Sequence, residues 1–351
     1  MKKLIWFCSL MLVTAIWNIE IAHAQRDNVY TIGAGGGNSL IRGRVDSTSA
    51  FKVTVETDSG SRDIPSSQIK KIAFSGEPRG VGRARDHYDA GKYDDCLQAI
   101  NKLDKLPDSK FIRQEVSYLQ AYATGKLALR GDPSTSTAAA EQMVSQFVKD
   151  NSDSFRLVRA VDLYAQLLMA NGKTQLAQKE FNKLTKSRWP EFENRGYFFE
   201  GETQIHQGNL AAAKQSFQKL IDAPANDESG RQYQQLAKCQ LAKLSALEGE
   251  VESAVKTLEK IIQDESSENS RLFAVAYNAL GTCHLQSNEL KKASRAFLHT
   301  ELLFSTESDA HAEALYNLSK IWPKLNETER ANRAKSLLTS RYRNTIWASK
   351  P

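Results

Sequence analysis

The sequence predicts a mainly α protein, a solenoid of helical hairpins preceded by a small all-β module. Three observations carry this expectation. Val29 to Phe74 alternates with period two, whereas beyond position 80 apolar residues recur at three- and four-residue spacing. Small residues in the helical part also fall into a register that recurs in four successive hairpins.

With 351 residues and 41% hydrophobic content, the chain can bury a sizeable core. Its charged residues make up 25%, both signs are interspersed, and the net of +6 is mild and lacks a polybasic block. That balance does not call for nucleic acid.

Residues 1–24 read as a signal peptide. Lys2 and Lys3 form the positive end, Leu4 to Trp17 the apolar run, and Ala22-His23-Ala24 a small-x-small cleavage site before Gln25. The expected location is periplasmic, with the mature chain beginning after Ala24. The apolar run is short for a membrane span and is followed by Asn18 and Glu20, which makes an uncleaved anchor the weaker reading. Cys8 lies inside the run without the small-residue context of a lipoprotein site. Of the other cysteines, Cys96, Cys239 and Cys283 are odd in number and widely spaced. They do not describe a disulfide framework and are expected as buried thiols.

Residues 25–76 form the β module. Val29–Ile32, Leu40–Val45, Phe51–Thr57 and Ile69–Phe74 are β-branched or aromatic runs separated by Gly, Ser and Asp clusters, and Asp58-Ser59-Gly60 should close a hairpin. Such a sheet is marginal alone and is expected to lean on the helices that follow. The module resembles the small SH3-like or Sm-like folds that precede helical repeats in some exported bacterial proteins. Glu77-Pro78-Arg79-Gly80 interrupts the alternation as a linker, and residues 81–351 form the helical array.

Within the array, Ala177, Ala213, Ala254 and Ala293 open the second helix of successive hairpins, 36, 41 and 39 residues apart. Four positions later stand Phe181, Phe217, Leu258 and Phe297, one helical turn on and so on the same face. Ala165, Gly201, Ala242 and Gly281 occupy the matching place in the first helix, and Gly172, Gly208, Gly249 or Asn288 provides a left-handed cap between the two. Further hairpins fit Ala84 to Pro107, Phe111 to Val148 and Ala312 to Tyr342. One hairpin cannot cover its own apolar stripe, whereas a stack of them can.

This register resembles the tetratricopeptide repeat (TPR). The match is partial: the position usually held by Tyr is Leu168, Gln204, Ser245 and His284 here, and the spacings exceed the family's usual period of about 34 residues. The resemblance implies a TPR-like α-solenoid whose concave groove is lined by Arg159, Asp162, Gln166, Arg195, Phe198, Glu202, Lys243, Asn278 and Thr282. It implies a protein or peptide partner held by charge-assisted hydrogen bonds. The Lys and Asn placement does not reproduce the carboxylate clamp of chaperone-tail binders.

Signs of catalysis are weak. Gly33-Ala34-Gly35-Gly36-Gly37 lacks the Lys-Ser/Thr of a phosphate loop and leads into a strand, so it reads as a strand connection. The histidines are His23, in the signal segment, and His87, His206, His284, His299 and His311. His311-Ala312-Glu313 has the His-x-Glu of zinc deaminases with no Pro-Cys-x-x-Cys after it. Cys239, Cys283, His284 and His299 match no zinc spacing. Asp94-Asp95 and Glu191/Glu193 stand at turns or helix starts, where solvated or capping roles suffice. The expectation is a non-catalytic interaction scaffold of the cell envelope, with no cofactor or metal. The alternative places envelope-polymer or nucleic-acid binding on the β module through Arg42, Arg44, Lys52, Lys70 and Lys71, although few aromatics interleave them and nucleic acid is disfavoured. Near the C-terminus, Tyr342, Ile346 and Trp347 are expected to cap the last hairpin.

Overall fold

A computed structural model describes residues 26–32, 37–186, 190–225, 228–266, 268–343 and 345–350. The segment expected to be a signal peptide, residues 1–24, and the glycine connection at Gly33–Gly36 lie outside the described residues.

The β module is an antiparallel sheet of β1 (Asp27–Ile32), β2 (Asn38–Thr48), β3 (Lys52–Thr57), β4 (Gly60–Pro65) and β5 (Ile69–Ala73), in the spatial order β4-β3-β2-β1-β5. A 3-10 turn at Ser66–Gln68 joins β4 to β5. The register shifts between Val45 and Ser47, which bends β2 so that one strand pairs with both β1 and β3. The predicted small all-β module is thus a five-stranded antiparallel sheet. Val29, Ile41, Val45, Val53, Val55 and Ile72 point inward. Strand β4 had no counterpart in the sequence pattern. It is an edge strand with only Ile64 buried, so it carries no apolar alternation to read. The hairpin before it does close at Asp58-Ser59, with Gly60 at φ +110°.

The expectation that the sheet leans on the helices holds, because one core joins them. Val29 and Ile72 of the sheet share it with Val81, Cys96, Tyr118 and Leu163 of the helices. Phe74 stacks on Phe111 at 6.0 Å, and Thr48 Oγ1 donates to the Asp153 carbonyl at 2.8 Å. Lys71 pairs with Asp86 across the same junction at 3.1 Å.

The helices follow as hairpins: α1 (Arg79–Asp89) with α2 (Tyr93–Asn101), α3 (Lys110–Leu129) with α4 (Thr137–Asp150), and α5 (Leu157–Ala170) with α6 (Thr174–Leu184). Then come α7 (Pro190–His206) with α8 (Leu210–Asp222), α9 (Glu228–Leu247) with α10 (Val251–Asp264), and α11 (Ser270–Gln286) with α12 (Leu290–Leu303). A final hairpin, α13 (Ser308–Ile321) with α14 (Thr328–Arg341), is capped by the short α15 (Ile346–Ser349), where Trp347 and Tyr342 are buried as expected. The spacings above 34 residues arise mainly from long first helices, α9 having 20 residues. The N-termini of α3, α4 and α11 are capped by the Ser109, Ser136 and Asn269 side chains, which accept from backbone N–H groups.

The predicted turn positions are left-handed. Gly208 has φ +79° and Asn288, which replaces glycine in its hairpin, has φ +57°. The small-residue register is a packing register. Ala177, Ala213 and Ala293 are fully buried, as are Phe181, Phe217, Leu258 and Phe297. At Gly201 and Gly281 a Cβ would lie 2.5 Å and 2.7 Å from the rings of Phe217 and Phe297. Cys96, Cys239 and Cys283 are free, buried thiols whose pKa values burial pushes up to about 12, 12 and 11. No helix of the described residues is long and apolar enough to cross a membrane.

The candidate site, a cavity inside the coiled array

The first helices of the hairpins face inward, and the array curls until its last hairpin reaches α3. Arg341 Nε, at the end of α14, donates to the carbonyl oxygen of Arg130, and the Arg341 side chain covers Gly131 closely enough to exclude any side chain there. The coil thereby surrounds a cavity of about 730 Å³, bounded by α3, α5, α7, α9, α11 and the C-terminal hairpin.

Of the residues expected in the groove, Asp162, Gln166, Phe198, Glu202 and Lys243 border this cavity. All but Phe198 are held there by polar pairs within and between the first helices. Arg195 of α7 pairs with Asp162 of α5, and Gln166 Nε2 donates to the other Asp162 oxygen at 3.0 Å. Gln240 Nε2 of α9 donates to Glu202 Oε1 of α7 at 2.7 Å. Lys243 of α9 pairs with Glu313 of α13, whose second oxygen accepts from Asn278 Nδ2 of α11 at 3.1 Å.

Several expected groove residues play other parts. Phe198 is not an exposed contact; it is fully buried against Phe199 and Tyr233, because the α7 face that turns inward also packs on α9. Asn278 is 1% exposed and bridges α11 to α13 through Glu313 and the Ala310 carbonyl. Thr282 donates to the Asn278 carbonyl one turn back, away from the cavity. Arg159 donates to the Ile69 carbonyl at 3.2 Å, so it ties the sheet to α5. Arg195 sits behind Asp162 with its guanidinium over Tyr233 at 5.3 Å.

Other cavity residues were not foreseen. Arg271 lies 5.0 Å from the Phe199 ring and 5.3 Å from the Phe198 ring. Lys126 stands on α3, and burial lowers its ammonium pKa. Among the described residues neither cation has an ion-pair or hydrogen-bond partner. Burial also pushes the Glu202 carboxyl up to about 7, against the pull of His206 one turn along α7. Glu202 and His206 share a face at i and i+4, a signal present in the sequence. Asp309 and Trp347 join them only because the coil closes, which no local pattern reveals.

The β module offers little free charge. Of its seven basic residues, Arg26, Arg44, Lys52 and Lys71 pair with Asp58, Asp46, Asp63 and Asp86.

Residues 150–300 match the family model described as a tetratricopeptide repeat-like domain, a span that runs from α5 through α12. Among solved structures, a tetratricopeptide repeat protein from Parabacteroides merdae is similar at 16% identity and a TM-score of 0.48, covering 75% of this chain and 92% of that one. PilW, a widely conserved type IV pilus biogenesis factor, is similar at 15% identity and a TM-score of 0.37, covering 65% of this chain and 96% of that one. The TPR domain of P58(IPK) is similar at 12% identity and a TM-score of 0.28, covering 77% of this chain and 75% of that one. The sequence matches none of the curated proteins.

Proposed function

We propose that this tetratricopeptide repeat protein, a helical solenoid docked on a small five-stranded sheet, is an exported, non-catalytic scaffold of the bacterial cell envelope. It holds an extended segment of a partner protein inside the coil. The observation that carries the reading is a pair of cations with no ion-pair or hydrogen-bond partner among the described residues, Lys126 and Arg271, bordering a cavity of about 730 Å³. A cavity of that size falls within the range of roughly 300–1,000 Å³ typical of ligand pockets. Gln166 and Gln240 present amides at its wall, suited to the backbone of an extended peptide, and Lys126 and Arg271, which Asp162 and Glu307 offset only at a distance, favour a segment carrying acidic side chains. Export rests on the basic, apolar and small-residue segments of residues 1–24.

The test is site-specific photocrosslinking in envelope fractions, with the photoreactive residue at Gln166 inside the coil or at Glu259 on the exposed outer face of α10. A partner band from position 166 and none from 259 is expected. Equal bands from both positions, or none from either, would overturn the reading. N-terminal sequencing of the recovered protein should begin at Gln25, and a cytosolic chain retaining Met1 would remove the envelope assignment.

A further inference from the structure

Where α7 meets the start of α13, three side chains from distant parts of the chain converge. Glu202 and His206 lie one turn apart on α7, and Asp309 arrives from the first turn of α13. One ligand atom from each of the three lies within 4.8 Å of the others. His206 Nε2 is 3.7 Å from Asp309 Oδ2, an ion pair when the imidazole is protonated but beyond a hydrogen bond. Two atoms that each sit about 2.1 Å from a shared tetrahedral ion are separated by roughly 3.4 Å, so this spacing is closer to that of co-ligands.

The surroundings point the same way. The His206 side chain is only 5% exposed, its Nε2 faces Asp309, and the ring rests edge-on against Trp347 at 6.3 Å, which fixes its orientation although Nδ1 has no hydrogen-bond partner. Gln240 Nε2 holds Glu202 Oε1, and Trp347 Nε1 donates to Asp309 Oδ1 at 3.2 Å. Each carboxylate thus has one oxygen oriented by a neighbour, and Asp309 Oδ2 faces the imidazole. Outer hydrogen bonds of this kind are what fix carboxylate ligands around an ion. Of the ammonium groups nearby, Lys243 is engaged by Glu313 and Lys350 lies over the Trp347 ring at 3.9 Å.

We propose that Glu202, His206 and Asp309 form a binding site for a divalent transition-metal cation of the zinc class, open on the cavity side, which fastens the C-terminal hairpin to α7. One imidazole with two carboxylates suits zinc, nickel or cobalt, whereas calcium and magnesium seek all-oxygen shells. Because the ligands come from two elements that meet only in the closed coil, binding and closure are linked: the ion stabilises the closed arrangement by its preference for it.

The experiment uses the full, untagged chain, treated with chelator and desalted, then titrated with zinc alone by calorimetry. Cobalt is added in parallel while tryptophan emission is followed. Saturation near one equivalent is expected, with cobalt quenching the emission of Trp347 and zinc raising the melting temperature. Asp309→Asn, which keeps the side-chain volume, and His206→Gln should each weaken zinc binding by roughly tenfold or more. In both, the zinc-induced rise in melting temperature should disappear. The quenching of the unaltered protein stands independently of whether a variant folds. Absence of saturable zinc binding, affinity unchanged in folded variants, or calcium bound as tightly as zinc would each overturn the proposal.

Discussion

Gly201 of α7 faces the ring of Phe217 of α8 so closely that a Cβ on Gly201 would lie 2.5 Å from Cε1 of that ring. Real Cβ atoms do not approach aromatic carbons that closely, so the aromatic at one position requires the missing side chain at the other. Gly201→Ala should therefore destabilise the array by about 1–3 kcal/mol through overpacking. Phe217→Ala should cost about 3–5 kcal/mol by leaving a cavity. The double variant should lose less than the sum of the two, because the smaller residue removes the clash. Urea unfolding checks this, and additive losses would show that the two residues do not share a contact.

Glu115 anchors the junction between sheet and array. Its carboxylate, 1% exposed as a residue, accepts from Arg85 Nε at 3.0 Å and from Arg156 Nε and Nη2 at 3.0 and 2.7 Å. Glu115→Gln would leave the buried Arg156 guanidinium without its carboxylate, while Arg85 keeps Glu77, and should cost about 3–5 kcal/mol. Burial opposes ionisation, but Arg156 and Arg85 hold the Glu115 carboxyl at about 2, below its ordinary 4.5. The stabilisation it provides is thus complete above pH 4.5 and is lost as pH falls toward 2. The glutamine variant should lack this part of the acid dependence in urea midpoints measured across that range.

His311 gives the C-terminal hairpin a milder acid sensitivity. It is 2% exposed, its Nδ1 lies 2.7 Å from the Tyr342 hydroxyl, and its Nε2 has no partner. Burial, with Arg341 adding to it, lowers the imidazole pKa to about 4 from 6.5. Below pH 6.5 the unfolded chain takes up a proton that the folded chain refuses, so stability falls as pH drops from 6.5 to 4. The full loss is on the order of 3 kcal/mol. A melting profile over this interval should flatten in His311→Gln.

Arg341 closes the coil against Arg130 and Gly131. Arg341→Ala should leave the core of α5 to α12 intact while amide exchange rises at the α3–α4 connection and in α14. Exchange confined to α14 alone would mean that closure does not depend on this residue.

Much of the fold was legible because it rests on local chemistry. The positions of Gly172, Gly208, Gly249 and Asn288 mark every turn of the central hairpins, and their left-handed backbone is a property of single residues. Strand β4 was hidden because an edge strand that buries only Ile64 has no pattern to display. The inner face was legible in part. Asp162, Gln166, Glu202 and Lys243 follow from which side of a first helix turns inward. Phe198 and Asn278 occupy the same face but are consumed by contacts with the next hairpin, which the spacing of one helix cannot show. The meeting of Glu202 and His206 with Asp309 depends on the summed rotation of several hairpins, so it could only be seen in three dimensions.

In the proposed function, the inner surface of the coil receives an extended, acidic segment. A display library of random dodecapeptides selected on the full chain tests it most directly, the recovered peptides being measured by fluorescence anisotropy against two variants. Gln166→Trp fills the cavity, and Glu259→Trp adds the same bulk to the outer face. Recovered peptides rich in Asp and Glu that lose at least about tenfold in affinity, about 1.4 kcal/mol, to the first variant and nothing to the second are the predicted result. Peptides that bind both variants as tightly as the unaltered protein would contradict it.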